Sequence, residues 1–209
     1  DYKNVNRNGI RAINIEEGDE LVEVRLVKPD EDVMMITRNG YGLRFKSSEV
    51  RRMGRTSTGV RGFKLREGDE VCSLDTVDNS KTLFIATENG YGKRTEFSQY
   101  EPHHRGGLGV VAIKGADRNG KVVAAHAVRD DESILSIASD GLTVRQRVCD
   151  ITVVGRSGMG VRLIRLSDGA KLVSLSVVDA EDSQADEPQE AVTPIEETLP
   201  SEETPSTEE

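Results

Sequence analysis

Short apolar runs recur along the chain, each followed by a glycine-marked turn. The runs are Val33-Met34-Met35-Ile36, Leu83-Phe84-Ile85-Ala86 and Ile134-Leu135-Ser136-Ile137. Such a run between turn signals suits a strand buried on both faces. Asn39-Gly40, Asn89-Gly90 and Asp140-Gly141 come next. These pairs tolerate the positive φ of a tight hairpin turn. A return strand follows, Leu43-Arg44-Phe45-Lys46 in the first copy. A polar, glycine-rich loop then leads to a third strand, such as Val60 to Leu65 or Gly160 to Leu166. Gly68-Asp69 turns the chain into a fourth strand, Val71 to Val77, which closes the unit.

The unit repeats. Gly40, Gly90 and Gly141 are 50 and 51 residues apart. Gly9, Gly59, Gly109 and Gly160 step by 50, 50 and 51, and Gly18, Gly68, Gly120 and Gly169 by 50, 52 and 49. Four strands in a period near fifty predict an all-β, propeller-like fold whose blades bury their faces by stacking on neighbours. The pattern divides into a partial blade at 1–29 and full blades at 30–77, 78–128 and 129–178.

Composition changes the picture at the C-terminus. From Asp179 to Glu209 there are 12 Asp and Glu, no Lys or Arg, and four of the six prolines. This segment holds too little apolar surface to offset ordering entropy and is expected to be a disordered acidic tail. It also accounts for the net charge of −9, because residues 1–178 keep 25 acids against 28 bases. A mildly basic body with an acidic tail hints at nucleic acid as a partner. Cys72 and Cys149 lie far apart in apolar or strand-like contexts and read as buried, reduced thiols of a cytosolic protein. Neither a signal peptide nor a membrane span is apparent. The opening at Asp1 rather than Met marks the chain as an excerpt of something longer.

The candidate chemistry is basic, not catalytic. The sequence carries no phosphate loop, G-x-S-x-G or H-E-x-x-H. His103, His104 and His126 lack companions at a zinc spacing, so no metal is expected. Glu16-Glu17 and Asp130-Asp131-Glu132 read as solvated loop ends. The bases recur in register. Arg44, Arg94 and Arg145 lie four residues after the hairpin glycine, and Lys46 and Arg147 two further on, on the same strand face. Arg55, Arg105 and Arg156 lie fifteen residues after it, in the glycine-rich loop. Arg51, Arg52, Arg61, Lys93, Arg162 and Arg165 lie nearby. Blades around an axis turn each series into a row of positive charge. A repeated Arg can instead support stacking or pair with an acid. Guanidinium groups beside glycine backbone suit phosphate contact. No aromatic platform is interleaved with them, which favours duplex backbone over single-strand stacking.

The loops Met53 to Gly59, His103 to Gly109 and Val154 to Gly160 share the form x-x-Arg-small-small-x-Gly. They resemble degenerate copies of the Q-R-R-G-G-K-G box of the gyrase A protein family. Glu17-Gly18-Asp19-Glu20-Leu21, Met53 to Gly62 and Glu88 to Thr95 resemble the same family, and the likeness spans nearly all of residues 1–178. The resemblance implies the C-terminal β-pinwheel of DNA gyrase, a propeller relative whose adjacent blades exchange strands and whose basic rim wraps DNA. Wrapping would let an ATP-dependent type II topoisomerase introduce negative supercoils. The partners implied are double-stranded DNA, the gyrase B protein and a second copy of gyrase A, in the bacterial cytoplasm and without a membrane. ATP and Mg2+ would act elsewhere in the holoenzyme, with no cofactor here. Tyr2, Tyr41, Tyr91 and Tyr100 match no catalytic motif, so no catalytic residue is assigned. The complete box is absent. Its best relative, His103 to Gly109, lacks the second Arg and the Lys, so these blades are read as continuing a wrap rather than starting one. The related C-terminal domain of topoisomerase IV and a protein-interaction propeller are the alternatives.

Overall fold

The computed structural model describes residues 9–179. Its strands are β1 (Asp32–Thr37), β2 (Tyr41–Lys46), β3 (Val71–Thr76), β4 (Thr82–Thr87), β5 (Tyr91–Glu96), β6 (Val110–Val111), β7 (Val122–Val128), β8 (Ser133–Ala138), β9 (Thr143–Arg147), β10 (Val161–Arg162) and β11 (Leu172–Val178). A four-residue helix, α1 (Ala116–Asn119), and 3-10 turns at Ser47–Glu49, Phe97–Gln99 and Val148–Asp150 complete the elements. The fold is all-β, as the apolar pattern predicts. The acidic segment falls outside the described residues except for Asp179.

Each repeat builds a hairpin from its apolar run and return strand, with the fourth predicted strand on the other side of the apolar run. The sheets read β3-β1-β2-β6, β10-β5-β4-β7 and β11-β8-β9. The hairpin turn differs from expectation in one detail. Gly40, Gly90 and Gly141 take positive φ, but Asn39, Asn89 and Asp140 do not. Gly40 N–H donates to Thr37 O at 2.9 Å, and Tyr41 begins the return strand. This is a three-residue loop with glycine at the left-handed position, a geometry that asks positive φ of one residue only.

The third strand is placed differently from the closed unit the spacing suggested. β6 pairs with β2 of the preceding repeat, through Tyr41↔Val111 and Gly42↔Val110. β10 pairs likewise with β5. Each four-stranded sheet therefore borrows its outer strand from the next repeat, the exchange that the pinwheel resemblance implied. Val60 to Leu65 forms no strand. No described hairpin offers it a ladder, and an extended segment without a ladder partner has no strand hydrogen bonds to make. The same holds for residues 21–27, which occupy the register of β3 and leave Leu21, Val24 and Leu26 exposed.

The core lies between the sheets. Met34 and Ile36 meet Leu83 and Ile85, while Phe84 and Ala86 face Ile134 and Leu172. Val33, Leu43, Phe45 and Phe63 form a cluster on the other side of the first sheet. Alternate residues of one strand thus enter different interfaces, which explains why the central strands need apolar residues at consecutive positions. Two smaller expectations are corrected. Cys149 is exposed, because the 3-10 turn sends Val148 inward and its neighbour out, while Cys72 is half-buried with Sγ 3.5 Å from Ile36 O. Glu132 is buried, accepting from Arg129 N–H at 2.7 Å.

Candidate nucleic-acid interface

Arg44 and Arg94 point inward. Arg44 pairs across the hairpin with Met34 and Arg94 with Phe84, on faces that the next sheet covers. Arg44 Nε donates to Asp32 Oδ2 at 2.7 Å, and its Nη1 to Phe97 O at 3.1 Å and Tyr100 O at 3.4 Å. Arg94 Nε donates to Ile151 O at 2.7 Å, and its Nη1 pairs with Asp130. Both guanidinium groups thus satisfy carbonyls around the next repeat's 3-10 turn. The expected exposed row is corrected at these positions, because stacked sheets leave a central strand no free face. Lys93 is also buried, at 0% exposure. Its Nζ donates to Gly155 O at 2.9 Å and Arg156 O at 2.5 Å, and burial holds its pKa down at about 8. Arg145, at the equivalent place on β9, is exposed on the face that no described sheet covers.

The glycine-loop arginines tie successive repeats together. Arg55 Nη1 donates to Arg11 O at 3.2 Å, Arg105 Nη1 to Arg61 O at 3.0 Å, and Arg156 Nη1 to Val111 O at 2.8 Å. Arg105 Nε also donates to Glu49 O at 3.0 Å. All three are half-buried, each loop leaning on the segment 44 or 45 residues before it. Glycine has a steric role here. Gly109 and Gly160 have φ of 65° and 82°, and a Cβ on Gly160 would lie 2.5 Å from Gly92 O. The loop can therefore close on β5 only without a side chain.

The exposed bases sit around this ridge. Lys46, Arg51, Arg52 and Arg61 are exposed, and their side chains make no hydrogen bond or ion pair among the described residues. Arg147 is exposed and pairs with Asp150 at 3.0 Å. Arg162 is exposed, with Nη2 donating to Tyr91 Oη at 3.0 Å. Two partners escaped sequence reading. Arg66 stacks on Tyr41 at 3.5 Å from the ring centroid, and Arg118 on Tyr91 at 4.4 Å. Aromatics are therefore interleaved with bases in space though not in sequence, the stacked residues lying far apart along the chain. Their only sequence signal is that each Tyr directly follows a hairpin glycine. Among the described residues no group of three or more His, Cys, Asp and Glu side chains is placed to hold a metal ion. Nor is any described helix long and apolar enough to cross a membrane.

Stacked antiparallel sheets with exchanged outer strands and a ridge of glycine loops flanked by bases define a β-propeller repeat protein of the pinwheel type. The family described as DNA gyrase C-terminal domain, beta-propeller, matches residues 1–28, 31–78, 81–129 and 132–179, and the chain belongs to it. The DNA gyrase A protein of Clostridium acetobutylicum is 43% identical over 194 residues, 93% of this chain and 23% of that protein. The chain thus spans less than a quarter of that relative. A solved structure of the DNA gyrase A C-terminal domain superposes with TM-score 0.75 at 31% identity, covering 82% of this chain and 59% of that one. The C-terminal domain of DNA topoisomerase IV superposes with TM-score 0.80 at 25% identity, covering 86% and 57%.

Proposed function

We propose that this chain is a DNA-binding and DNA-wrapping region of a gyrase A protein, holding duplex by its backbone along the ridge of glycine loops. The observation that carries the reading is the exposed group Lys46, Arg51, Arg52 and Arg61 beside that ridge, on a fold whose relatives are gyrase A proteins. Bending 20–30 base pairs through tens of degrees costs about 1–6 kcal/mol, which counterion release from phosphate contacts offsets. In the holoenzyme the wrapped segment would be presented for ATP-dependent strand passage, with the gyrase B protein and a second copy of gyrase A as partners, in the cytoplasm. The chain itself contributes binding and no catalytic residue. Between the two solved structures, identity of 31% to the gyrase A domain against 25% to the topoisomerase IV domain favours gyrase despite the latter's higher TM-score. A protein-docking role would instead use the exposed apolar residues of the same loops, Leu108 and Met159, in place of these bases.

Duplex titrations across salt test the reading. About six phosphate contacts give a slope of log affinity against log salt near −5, at roughly −0.9 per contact. Arg51→Ala/Arg52→Ala/Arg61→Ala should make it shallower by about 2.7. A parent slope near −1, or an unchanged slope in the triple variant, would reject backbone binding on this ridge.

A further inference from the structure

The bases near the second hairpin are organised differently from those on the ridge. A groove of about 290 Å³ is lined by Asn89, Tyr91, Arg162, Ile164, Arg165 and Leu166, with no acid among them. The groove at the first hairpin is lined by Arg38, Lys114 and Lys121 but also by Glu67 and Glu88, and Arg38 pairs with Glu88 at 3.6 Å. Of the two, only the second groove is therefore uncompensated. Its tyrosine is held between cations. Arg118 lies over the ring at 4.4 Å, and its Nη2 donates to Met159 O at 2.8 Å, fixing it in place. Arg162 donates to the phenol oxygen from the opposing strand, and the phenol's acidity is raised accordingly. Lys171 Nζ holds Asn89 Oδ1 at 2.5 Å and places another charge at the groove's edge. Arg165 is exposed and makes no hydrogen bond or ion pair among the described residues.

We propose that this groove is a phosphate seat for the duplex backbone, with Arg162 and Arg165 as its contacting residues and Tyr91 as the residue that positions Arg162. The proposal rests on the DNA-binding reading above. A guanidinium pinned by one N–H to a phenol keeps other N–H groups for phosphate oxygens and loses less freedom on binding than an unrestrained side chain. The cations on Tyr91 compete with nucleobases for its ring, so backbone rather than base is the fitting ligand. The first groove, where Glu67 and Glu88 compensate the bases, would hold the backbone less tightly. The path of the duplex is then anchored unevenly, more firmly toward the C-terminal repeats.

The test is a salt titration of duplex binding by the 209-residue chain, its Arg162→Ala/Arg165→Ala variant and its Arg51→Ala/Arg52→Ala variant, with thermal midpoints confirming that all are folded. Loss of two contacts makes the slope shallower by about 1.8 in the groove variant, and the ridge variant changes comparably. If the groove variant keeps the parent slope while the ridge variant does not, the seat is wrong and wrapping stands. If neither changes, or the parent does not bind, both readings fail. A final arm titrates inorganic phosphate without DNA at constant ionic strength. Saturable binding that the groove variant abolishes, with the DNA slope unchanged, would assign a small-anion site and overturn the duplex proposal.

Discussion

Lys93 stands where the neighbouring repeats carry Leu43 and Val144. Its stem occupies an apolar position and its ammonium caps two loop carbonyls, yet burial disfavours the charge and lowers the pKa from 10.5 to about 8. The unfolded chain therefore binds more protons than the folded one between those values, and stability rises with pH across that window. Two other groups, half-buried Cys72 and buried Tyr100, act in the opposite sense. Cys72 is pushed from 9.0 up to about 12, and Tyr100 lies above its ordinary 10.0, both by burial. Each keeps its proton in the folded state after the unfolded chain has lost it, so stability falls above about pH 9 and pH 10 respectively. Urea unfolding from about pH 7.5 to 9 should show a rise that Lys93→Met removes; a parent curve flat over that range would contradict the account. At Arg44 the expectation is different again. Arg44→Ala removes the partner of a mostly buried Asp32 and uncovers carbonyls of the next repeat, which should cost about 3 kcal/mol while leaving the DNA salt slope unchanged. A slope that falls with this substitution would place Arg44 on the DNA.

At the scale of elements, the exchanged strand is the joint between repeats. β6 and β10 are only two residues long, so the flanking glycine and the loop arginine share the task of holding them. Gly160→Ala should be much more damaging than Gly68→Ala. Both positions have positive φ, which costs roughly 1–2 kcal/mol for a residue with a Cβ. At Gly68 the added methyl meets nothing within 4 Å, whereas at Gly160 it meets backbone at 2.5 Å. Equal unfolding midpoints for the two variants would show that the close approach is not needed. Much of this level was legible beforehand. The hairpins and glycine registers follow from local chemistry, since turns and apolar runs are decided by neighbouring residues. The destination of the third strand was not legible from spacing, because Val110 and Val161 would satisfy a ladder in either sheet equally well.

For the whole molecule, charge is divided between a body and a terminal segment. Residues 179–209 carry 12 acids and no bases, so removing them changes the net charge from −9 to +3. Tethered carboxylates compete with phosphate for the same cations at high effective concentration. Truncation after Val178 should raise duplex affinity at low salt, with the gain fading as screening increases. Equal affinity of both forms at low salt would mean that the segment only solvates the chain end. The candidate interface is also a property of the whole stack, since the ridge exists only where loops from successive repeats lean on one another, as Arg105 does on Arg61.

The period of fifty, the all-β class and the positions of the turns were determined by the sequence alone, because they depend on contacts within a few residues and on the glycines at positive φ. The sequence also marked which bases recur. Which of them face solvent was decided only by tertiary structure. Arg44 and Arg51 look alike as letters near a glycine loop, but one lies on a strand face that the next sheet covers and the other lies beyond the strand's end. Likewise, Arg118 and Tyr91, far apart in sequence within one repeat, meet only when the chain folds back on itself. Burial and long-range partners depend on what the neighbouring repeat brings, and no local pattern carries that information.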